Sequence, residues 1–321
     1  MSAAEQSLRF ACFGGTCGVY VGGDSPKRSA AHAAAEARDS LLDWHERFSR
    51  FLPDSELSAL NADRRELVPV SPLLAYLAAA ARLAAALTGG LVDATLLGEI
   101  QQAGYDGELP ARLPLALALG LAPARRPAAG HRSRRWRMLH VDTRAATVRR
   151  PPGLALDSGG LAKGLFADVL AEGLARHDSF AVDCGGDLAI GGAAGVPRAI
   201  EVASPFDGST LHSFELAHTG VATSGIGRRA WLDAEGRPAH HLLDPSTGRP
   251  AFTGVVQATA LAPSALLAEI HAKAAVLSGP EQGARWLAWG GVLVLDDGSH
   301  RVVEAGGSRR SASARPRLAA A

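Results

Sequence analysis

Apolar residues recur with a helical period in the first part of this 321-residue chain. Residues 29–48 and 70–90 each predict a long helix. The second has Ser71 as an N-cap and Pro72 at its first helical position, which are residue types typical of a helix start. Only residues 8–22 in this part alternate enough to predict a strand.

From residue 136 onwards, short apolar runs predict a series of strands instead. They are "WRMLHVDT", "ATVRR", "SFAVDCGG", "AIEVAS", "SFELA", "GVVQATAL" and "GVLVLDD". Helices are predicted between them over 161–175 and 264–278, with a short one near 280–289. Runs of strands with a few long helices favour an α+β fold, with a mixed or antiparallel β-sheet core and packed helices, over a wound parallel sheet.

The predicted helix 264–278 carries charged residues on its apolar face. At about 100° per residue, Glu269 and Lys273 lie one turn apart on the stripe that also holds Leu266 and Ile270. The order Glu before Lys suits a surface ion pair worth less than ~1 kcal/mol. Alternatively the pair is buried and forms a site, because a buried charge must be paired or bind something. The helix alone leaves both interpretations open.

Two segments lack the pattern of a core element. Residues 104–135 are rich in Ala, Pro and Arg, and they predict a surface excursion. Its basic run is interpreted as a solvated loop, or alternatively as a contact for an acidic partner. Residues 306–321 predict a disordered tail, which leaves residues 1–305 as one domain.

Composition narrows the class of protein. The chain is 47% hydrophobic and 20% charged with a net charge of +1, so it can bury a core and has no general attraction to nucleic acid or anionic membranes. No signal peptide or membrane span is apparent. Cys12, Cys17 and Cys184 form neither a metal pattern nor an even disulfide set, and we expect reduced thiols in a cytoplasmic protein.

The stretch "LALDSGGLAKG" combines a predicted strand, a glycine turn and a helix start. Glycines let backbone amides approach a ligand, and a helix N-terminus favours an anion. Lys163 lies in the first helical turn, where a cation is unfavourable. It is therefore interpreted as a ligand for a group such as phosphate, or alternatively as a lysine that extends to solvent.

Three further stretches offer candidate chemistry. Asp183 and Asp187 flank a second glycine turn, either as site residues or as solvated turn residues. Thr223 and Ser224 precede Gly225 and suit phosphate donors or ordinary turn chemistry. His241 precedes the turn "DPSTG" and is either structural or a base active near neutral pH.

Taken together, these stretches resemble a known family. In chain order, "FGGTCGVYV", "FSRFLPDSELSALN", "TGGLVDATLLG", "LDSGGLAKG", "VDCGGDLAIGG", "VATSG" and "HHLLDPSTGRP" are similar to motifs of the ApbE family of FAD:protein FMN transferases. The resemblance covers about residues 10–296. It implies that the chain binds FAD, cleaves its pyrophosphate, and passes FMN to a Thr or Ser of a target protein with release of AMP. Alternatives are a non-catalytic FAD-binding homologue and an FAD pyrophosphatase.

The resemblance also implies roles for individual residues. His241 would be the base that activates the acceptor hydroxyl, and Phe51 would stack on a ring. The other residues implied to contact FAD are Asp157 and Lys163, the adenine or ribose pocket residues Leu91, Val92 and Asp93, and the hydroxyl residues Thr223 and Ser224.

A Mg²⁺ ion is implied as well, with the Gly160 carbonyl as one ligand. The family's metal helix reads A-D-A-L-x-T-A, whereas residues 268–274 read "AEIHAKA". Glu269 supplies an oxygen ligand in place of Asp, but Lys273 occupies the usual Thr position and cannot bind Mg²⁺ while protonated. We expect the Lys273 ammonium to lie near the metal position and to supply one positive charge there.

Overall fold

The computed structural model describes residues 5–107 and 112–306. Most of the helices lie in the first part of these residues, and most of the strands follow residue 140. The α-helices are α1 (Ala30–Phe48), α2 (Glu56–Ala62), α3 (Pro72–Leu87), α4 (Leu97–Gln102), α5 (Leu115–Leu121), α6 (Ala162–Leu174) and α7 (Ala265–Gln282). Short 3-10 turns cover Arg135–Met138 and Gly283–Trp286.

The strands form one large antiparallel sheet and several small ones. They are β1 (Gln6–Cys12), β2 (Gly15–Gly22), β3 (Leu67–Pro69), β4 (His140–Asp142), β5 (Thr147–Arg149), β6 (Ser179–Cys184), β7 (Asp187–Gly191), β8 (Arg198–Ala203), β9 (Thr210–Leu216), β10 (Thr219–Gly225), β11 (Ala230–Leu232), β12 (Pro238–His240), β13 (Leu243–Asp244), β14 (Arg249–Pro250), β15 (Val255–Ala262), β16 (Gly291–Leu295) and β17 (His300–Val303). In the part of the chain that is described, the large sheet has the order β1-β2-β6-β7-β10-β15-β16-β17. Every neighbouring pair in it is antiparallel, which confirms the predicted α+β class.

Helices α1, α6 and α7 cover one face of the large sheet, and the β8–β9 hairpin covers part of the other. The pairing of residues across neighbouring strands shows which side chains lie on each face of the sheet. Asp187 and Ala222 are paired across β7 and β10, and their side chains share the helix-covered face. Val221 and Leu261 face the hairpin, where they pack with Phe214.

Helices α6 and α7 approach each other closely, and the sequence allows it at Gly164. A Cβ on Gly164 would lie 2.7 Å from the Ala265 carbonyl oxygen, so any larger residue would push the helices apart. The Asp168 carboxylate accepts hydrogen bonds from the first amides of α7, Ala265 N at 2.8 Å and Leu266 N at 2.9 Å. This cap fixes the start of α7 against α6.

The helix predicted to end at residue 278 is interrupted in the structure at the next residue, Gly279. Gly279 has a φ of 76°, a left-handed conformation that favours glycine, and Pro280 follows it inside α7. The short helix predicted near 280–289 is only the end of α7 and the 3-10 turn Gly283–Trp286.

Three predicted strands differ from the structure. Residues 8–22 form two strands, β1 and β2, because Phe13 and Gly14 have positive φ angles and reverse the chain. Residues 136–138 of "WRMLHVDT" are a 3-10 turn, and only His140–Asp142 pair as a strand. Residues 154–157 are not part of a ladder, because Leu156 N and O bond to the side chain of Asn61 instead.

The segment 104–135 lies on the surface at 123–126 but is held to the core on both sides of that stretch. Helix α5 buries Leu115 and Ala118. Two backbone bonds, Arg126 N to Phe252 O at 3.0 Å and Ala128 N to Leu277 O at 2.8 Å, fix the rest. Residues 108–111 of this segment, and residues 307–321 of the predicted tail, lie outside the described residues.

Cys12, Cys17 and Cys184 are all buried and form no disulfide with one another. Cys12 and Cys17 belong to the β1–β2 hairpin, and Cys17 pairs with Cys184 across β2 and β6. None of the helices described is both long and apolar enough to cross a membrane.

Candidate active site

Two ion pairs meet where α6, β7 and α7 come together, and we call them the ionic centre: Lys163 with Asp187, and Lys273 with Glu269. Lys163 comes from the first turn of α6 and donates a short hydrogen bond to Asp187 Oδ2. Burial alone would lower the pKa of Lys163, but the carboxylates of Asp187 and Glu269 raise it overall. Lys163 is therefore a permanent cation at the helix start.

The Glu269–Lys273 pair is buried, so its interpretation as a surface ion pair is wrong. Glu269 is fully buried and Lys273 is 8% exposed. Glu269 Oε1 accepts a hydrogen bond from Lys273 Nζ at 2.8 Å, and Oε2 accepts one from Gly164 N at 2.9 Å. Burial raises the pKa of Glu269, and the Lys273 ammonium opposes that shift.

Arg229 adds a further cation that the sequence reasoning did not identify. It lies in the loop between β10 and β11, and its Nη2 donates to the Phe13 carbonyl at 3.2 Å. Its positive charge acts on both Lys163 and His241. The signal in the sequence was the pair "RR" directly after the "SGIG" turn, but nothing in that pattern places the guanidinium beside the α6 lysine.

His241 lies between β12 and β13 and is half-buried. Burial lowers the pKa of His241 well below its ordinary value, and the nearby charges of Arg229, Lys273 and Lys163 lower it further. Its Nδ1 is buried and has no hydrogen-bond partner among the described residues. The lowered pKa keeps the imidazole neutral at pH 7, so one of its ring nitrogens carries a lone pair.

The preceding histidine has a different environment. His240 is 1% exposed and packs edge-on against Phe252, with ring centroids 4.7 Å apart. Burial lowers the pKa of His240 to about 3. Of the two adjacent histidines, His240 is thus a core residue, whereas His241 is partly exposed and remains the candidate base.

An aromatic shelf, defined here as Arg50, Phe51, Tyr105 and Trp231, lies beside the α6 turn. The Arg50 guanidinium carbon is 4.2 Å from the Phe51 ring centroid and 4.6 Å from that of Tyr105. The Phe51 and Tyr105 centroids are 5.3 Å apart. Phe51 is 43% exposed, so its ring is available to another planar group.

The shelf is joined to the predicted FAD residue Asp157. Arg50 Nε lies 3.2 Å from Asp157 Oδ1, which also accepts a hydrogen bond from Gly159 N at 3.1 Å. Arg50 Nη2 is buried without a hydrogen-bond partner in the part of the chain described. Arg50 and Tyr105 were not predicted, because they lie on separate segments and only the fold brings them to Phe51.

The predicted pocket residues Leu91, Val92 and Asp93 differ in what they offer. Leu91 and Val92 pack into the two main hydrophobic clusters. Their apolar side chains can line a pocket but cannot donate or accept hydrogen bonds. Asp93 Oδ1 accepts a hydrogen bond from the Thr95 hydroxyl at 2.7 Å, while its buried Oδ2 has no partner among the described residues. Burial raises the pKa of Asp93.

Thr223 and Ser224 are consecutive residues of β10 rather than turn residues, so they point to opposite faces of the sheet. Ser224 pairs with Ala258 and shares the helix-covered face with the ionic centre. Thr223 bonds to the Thr259 hydroxyl at 2.8 Å on the other face. Of the two candidate phosphate donors, Ser224 therefore shares a face with Lys163 and Asp187, whereas Thr223 lies on the opposite face.

The residues implied for Mg²⁺ do not fit that ion. Both Glu269 oxygens already accept hydrogen bonds, and Lys273 has no lone pair while protonated. A Cβ placed on Gly160 would lie 3.5 Å from Lys273 Cε, so the lysine occupies the space facing the Gly160 turn. Within the described residues, no group of at least three His, Cys, Asp or Glu side chains is arranged to hold a metal ion.

Known proteins resemble this chain in both sequence and fold. The model of the ApbE family matches residues 13–294. The FAD:protein FMN transferase of Salmonella typhimurium is 29% identical over 84% of this chain and 77% of its own length. That of Rhodobacter capsulatus is 29% identical over 92% of this chain but only 57% of its own length. The crystal structure of the ApbE protein of Thermotoga maritima superposes with a TM-score of 0.76 at 24% identity, covering 94% of this chain and 97% of that one.

The fold and site define an α+β protein whose paired lysines, arginine and neutral imidazole suit a phosphorylated ligand. The matched region includes every element of the ionic centre, the aromatic shelf and His241. The chain belongs to the ApbE family.

Proposed function

We propose that this chain is an FAD:protein FMN transferase that uses His241 as its base. Its substrates are FAD and a Thr or Ser hydroxyl of a target protein, and its products are the flavinylated protein and AMP. Family membership supports the reaction, and the neutral His241 beside Lys163, Lys273 and Arg229 is the observation that carries the assignment to these residues.

In the proposed reaction, the acceptor hydroxyl oxygen bonds to the phosphorus atom of the FMN half of FAD. The bond from that phosphorus to the bridging pyrophosphate oxygen breaks, and AMP leaves with that oxygen and the electron pair. The hydroxyl proton passes to His241 and then to solvent. Because phosphoryl transfer depends on positioning and charge stabilisation, the cations around the histidine are as important as the base.

Binding of FAD follows from the two regions of the site. Lys163 and Arg229 face the position proposed for the pyrophosphate, where the α6 N-terminus also favours an anion. The exposed ring of Phe51 stacks on a ring of FAD, and Tyr105 and Arg50 support it from behind. Asp93, with its unpaired buried oxygen, accepts a hydrogen bond from the adenosine half.

The direct test is incubation of the purified protein with FAD and a Thr-containing acceptor domain. Transfer is read as a fluorescent flavin band in a denaturing gel and as a mass gain of one FMN minus one water. An acceptor with its Thr replaced by Val is the control and should stay unlabelled. Release of FMN and AMP without labelling would identify a pyrophosphatase, and tight FAD binding without turnover would identify a non-catalytic homologue.

A further inference from the structure

We infer that the Lys273 ammonium, held by Glu269, is a built-in cation that binds the FAD pyrophosphate directly, so that this chain transfers FMN without a divalent metal ion. The inference rests on the proposed function for its substrate. It concerns a separate question, namely which positive charge neutralises the phosphates.

The Lys273 ammonium is fixed in place by Glu269 but has N–H groups to spare for a further acceptor. Nζ donates to Glu269 Oε1 at 2.8 Å, and Glu269 is fixed in turn by Gly164 N at the start of α6. An ammonium has three N–H donors. Among the described residues, Glu269 is the hydrogen-bond acceptor found for Nζ, which leaves two donors directed away from the carboxylate. Lys273 is 8% exposed and Glu269 is fully buried, so the lysine is the member of the pair that keeps some contact with solvent.

Lys273 also lies close to the turn where the α6 N-terminus favours an anion. Its Cε lies close to Gly160, in the turn that opens the α6 N-terminus. Its charge acts on His241 together with that of Lys163. A phosphate bound at the α6 turn beside His241 would therefore be attracted by the charges of both lysines.

Lysine is rare in this chain compared with arginine. Its 33 basic residues include only three lysines, namely Lys27, Lys163 and Lys273. Lys27 is exposed, whereas the other two form the ionic centre. An ammonium is a compact point charge, unlike the broad planar guanidinium, so it can take the place of a small metal ion at a phosphate.

The first experiment measures FMN transfer by the wild-type protein after dialysis against EDTA. We expect the rate in EDTA to lie within about twofold of the rate in millimolar Mg²⁺, because no metal ligand is lost. A rate that falls more than about tenfold in EDTA and returns with Mg²⁺ would overturn the inference.

The second experiment measures FAD affinity in EDTA by quenching of flavin fluorescence, which needs no acceptor and no turnover. Lys273→Met should weaken FAD binding by about 10- to 100-fold, as expected for loss of a charge-assisted hydrogen bond. The matched control Lys27→Met should bind as wild type does. Equal affinity of Lys273→Met and Lys27→Met would show that the ammonium does not touch FAD.

A double variant separates ligand binding from folding. Glu269→Gln/Lys273→Met removes both buried charges and keeps an acceptor for Gly164 N, so no unpaired charge is left in the core. If the pair is only structural, this variant should bind FAD like wild type. If Lys273 binds the pyrophosphate, the double variant should fold and still lose FAD affinity by about tenfold or more.

The third experiment tests the metal directly with Mn²⁺ as probe. Wild-type protein with FAD should show no stoichiometric Mn²⁺ binding by electron paramagnetic resonance, because Glu269 is engaged and Lys273 is a cation. One tightly bound Mn²⁺ per chain would overturn the inference. Absence of transfer under every condition, with these binding results as expected, would count against the proposed transferase reaction and leave the role of Lys273 intact.

Discussion

The ionic centre and the aromatic shelf differ in burial and in how their charged residues are paired. In the ionic centre, Asp187 and Glu269 are at most 1% exposed, and each is paired with a lysine. On the shelf, Phe51 is 43% exposed and Arg50 keeps one buried nitrogen without a partner. Buried charges must be neutralised before any ligand arrives, whereas the shelf is left open for a ring. We therefore expect substitutions in the first region to affect both folding and FAD affinity, and substitutions in the second to affect affinity alone.

The largest effect is expected for His241→Ala. Removal of the base should lower the rate of FMN transfer by about 10²- to 10⁴-fold while FAD affinity stays near wild type. Single-turnover labelling of the acceptor measures the rate, and flavin quenching measures the affinity. The neighbouring His240 does not face the site, so His240→Gln serves as the control. Unchanged labelling by His241→Ala would remove this residue from its role as base.

Breaking the Lys163–Asp187 pair should affect folding as well as binding. Lys163→Met leaves the Asp187 carboxylate buried and unpaired, and the free energy of unfolding should fall by ~3–5 kcal/mol. Lys163→Met/Asp187→Asn should recover most of that loss but not the affinity for FAD. Urea unfolding followed by circular dichroism gives the comparison. Equal stability of the single and double variants would mean that Asp187 does not depend on Lys163.

A shelf substitution should be milder. Phe51→Ala should weaken FAD binding by about tenfold through loss of ring stacking, with little change in the rate at saturating FAD. Leu52→Ala, at an adjacent exposed residue, is the matched control. A loss of rate at saturation without a change in affinity would place Phe51 in the chemistry and break the division between the two regions.

Acid should destabilise the fold through His240. Its pKa is about 3 in the folded chain, whereas an unfolded histidine titrates near ~6.5. Below ~6.5 the unfolded state therefore binds one more proton, so the free energy of unfolding falls as pH decreases from ~6.5 toward ~3. His240→Gln should reduce that slope by up to ~1.4 kcal/mol per pH unit.

The smallest effect is expected for Thr223→Val. Because Thr223 faces away from the ionic centre, FAD affinity and transfer rate should change by less than about twofold. Ser224→Ala is its natural partner in the experiment, since Ser224 shares the face of the ionic centre. A loss of affinity for Thr223→Val larger than for Ser224→Ala would contradict the assignment of faces.

Features that depend on neighbouring residues could be predicted from the sequence, whereas contacts between distant segments could not. The N-cap at Ser71, the break after residue 278 and the antiparallel class followed from residue type and period, because these depend on neighbours in the chain. The choice of His241, Lys163 and Phe51 came from ordered motifs. Arg229, Arg50 and Tyr105 were missed, because their roles depend on segments that are distant in sequence.

The amino-acid sequence by itself determined the long helices, the family and the placement of Glu269 and Lys273 one helical turn apart. It could not decide whether that pair was exposed, since a helical period fixes which residues share a stripe but not what covers the stripe. The tertiary structure decided this through the close approach of α6 and α7 at Gly164, which buries Glu269 and turns an ordinary ion pair into a held cation. The same reason separates Thr223 from Ser224, because a strand alternates its faces and only the packed sheet shows which face carries the site.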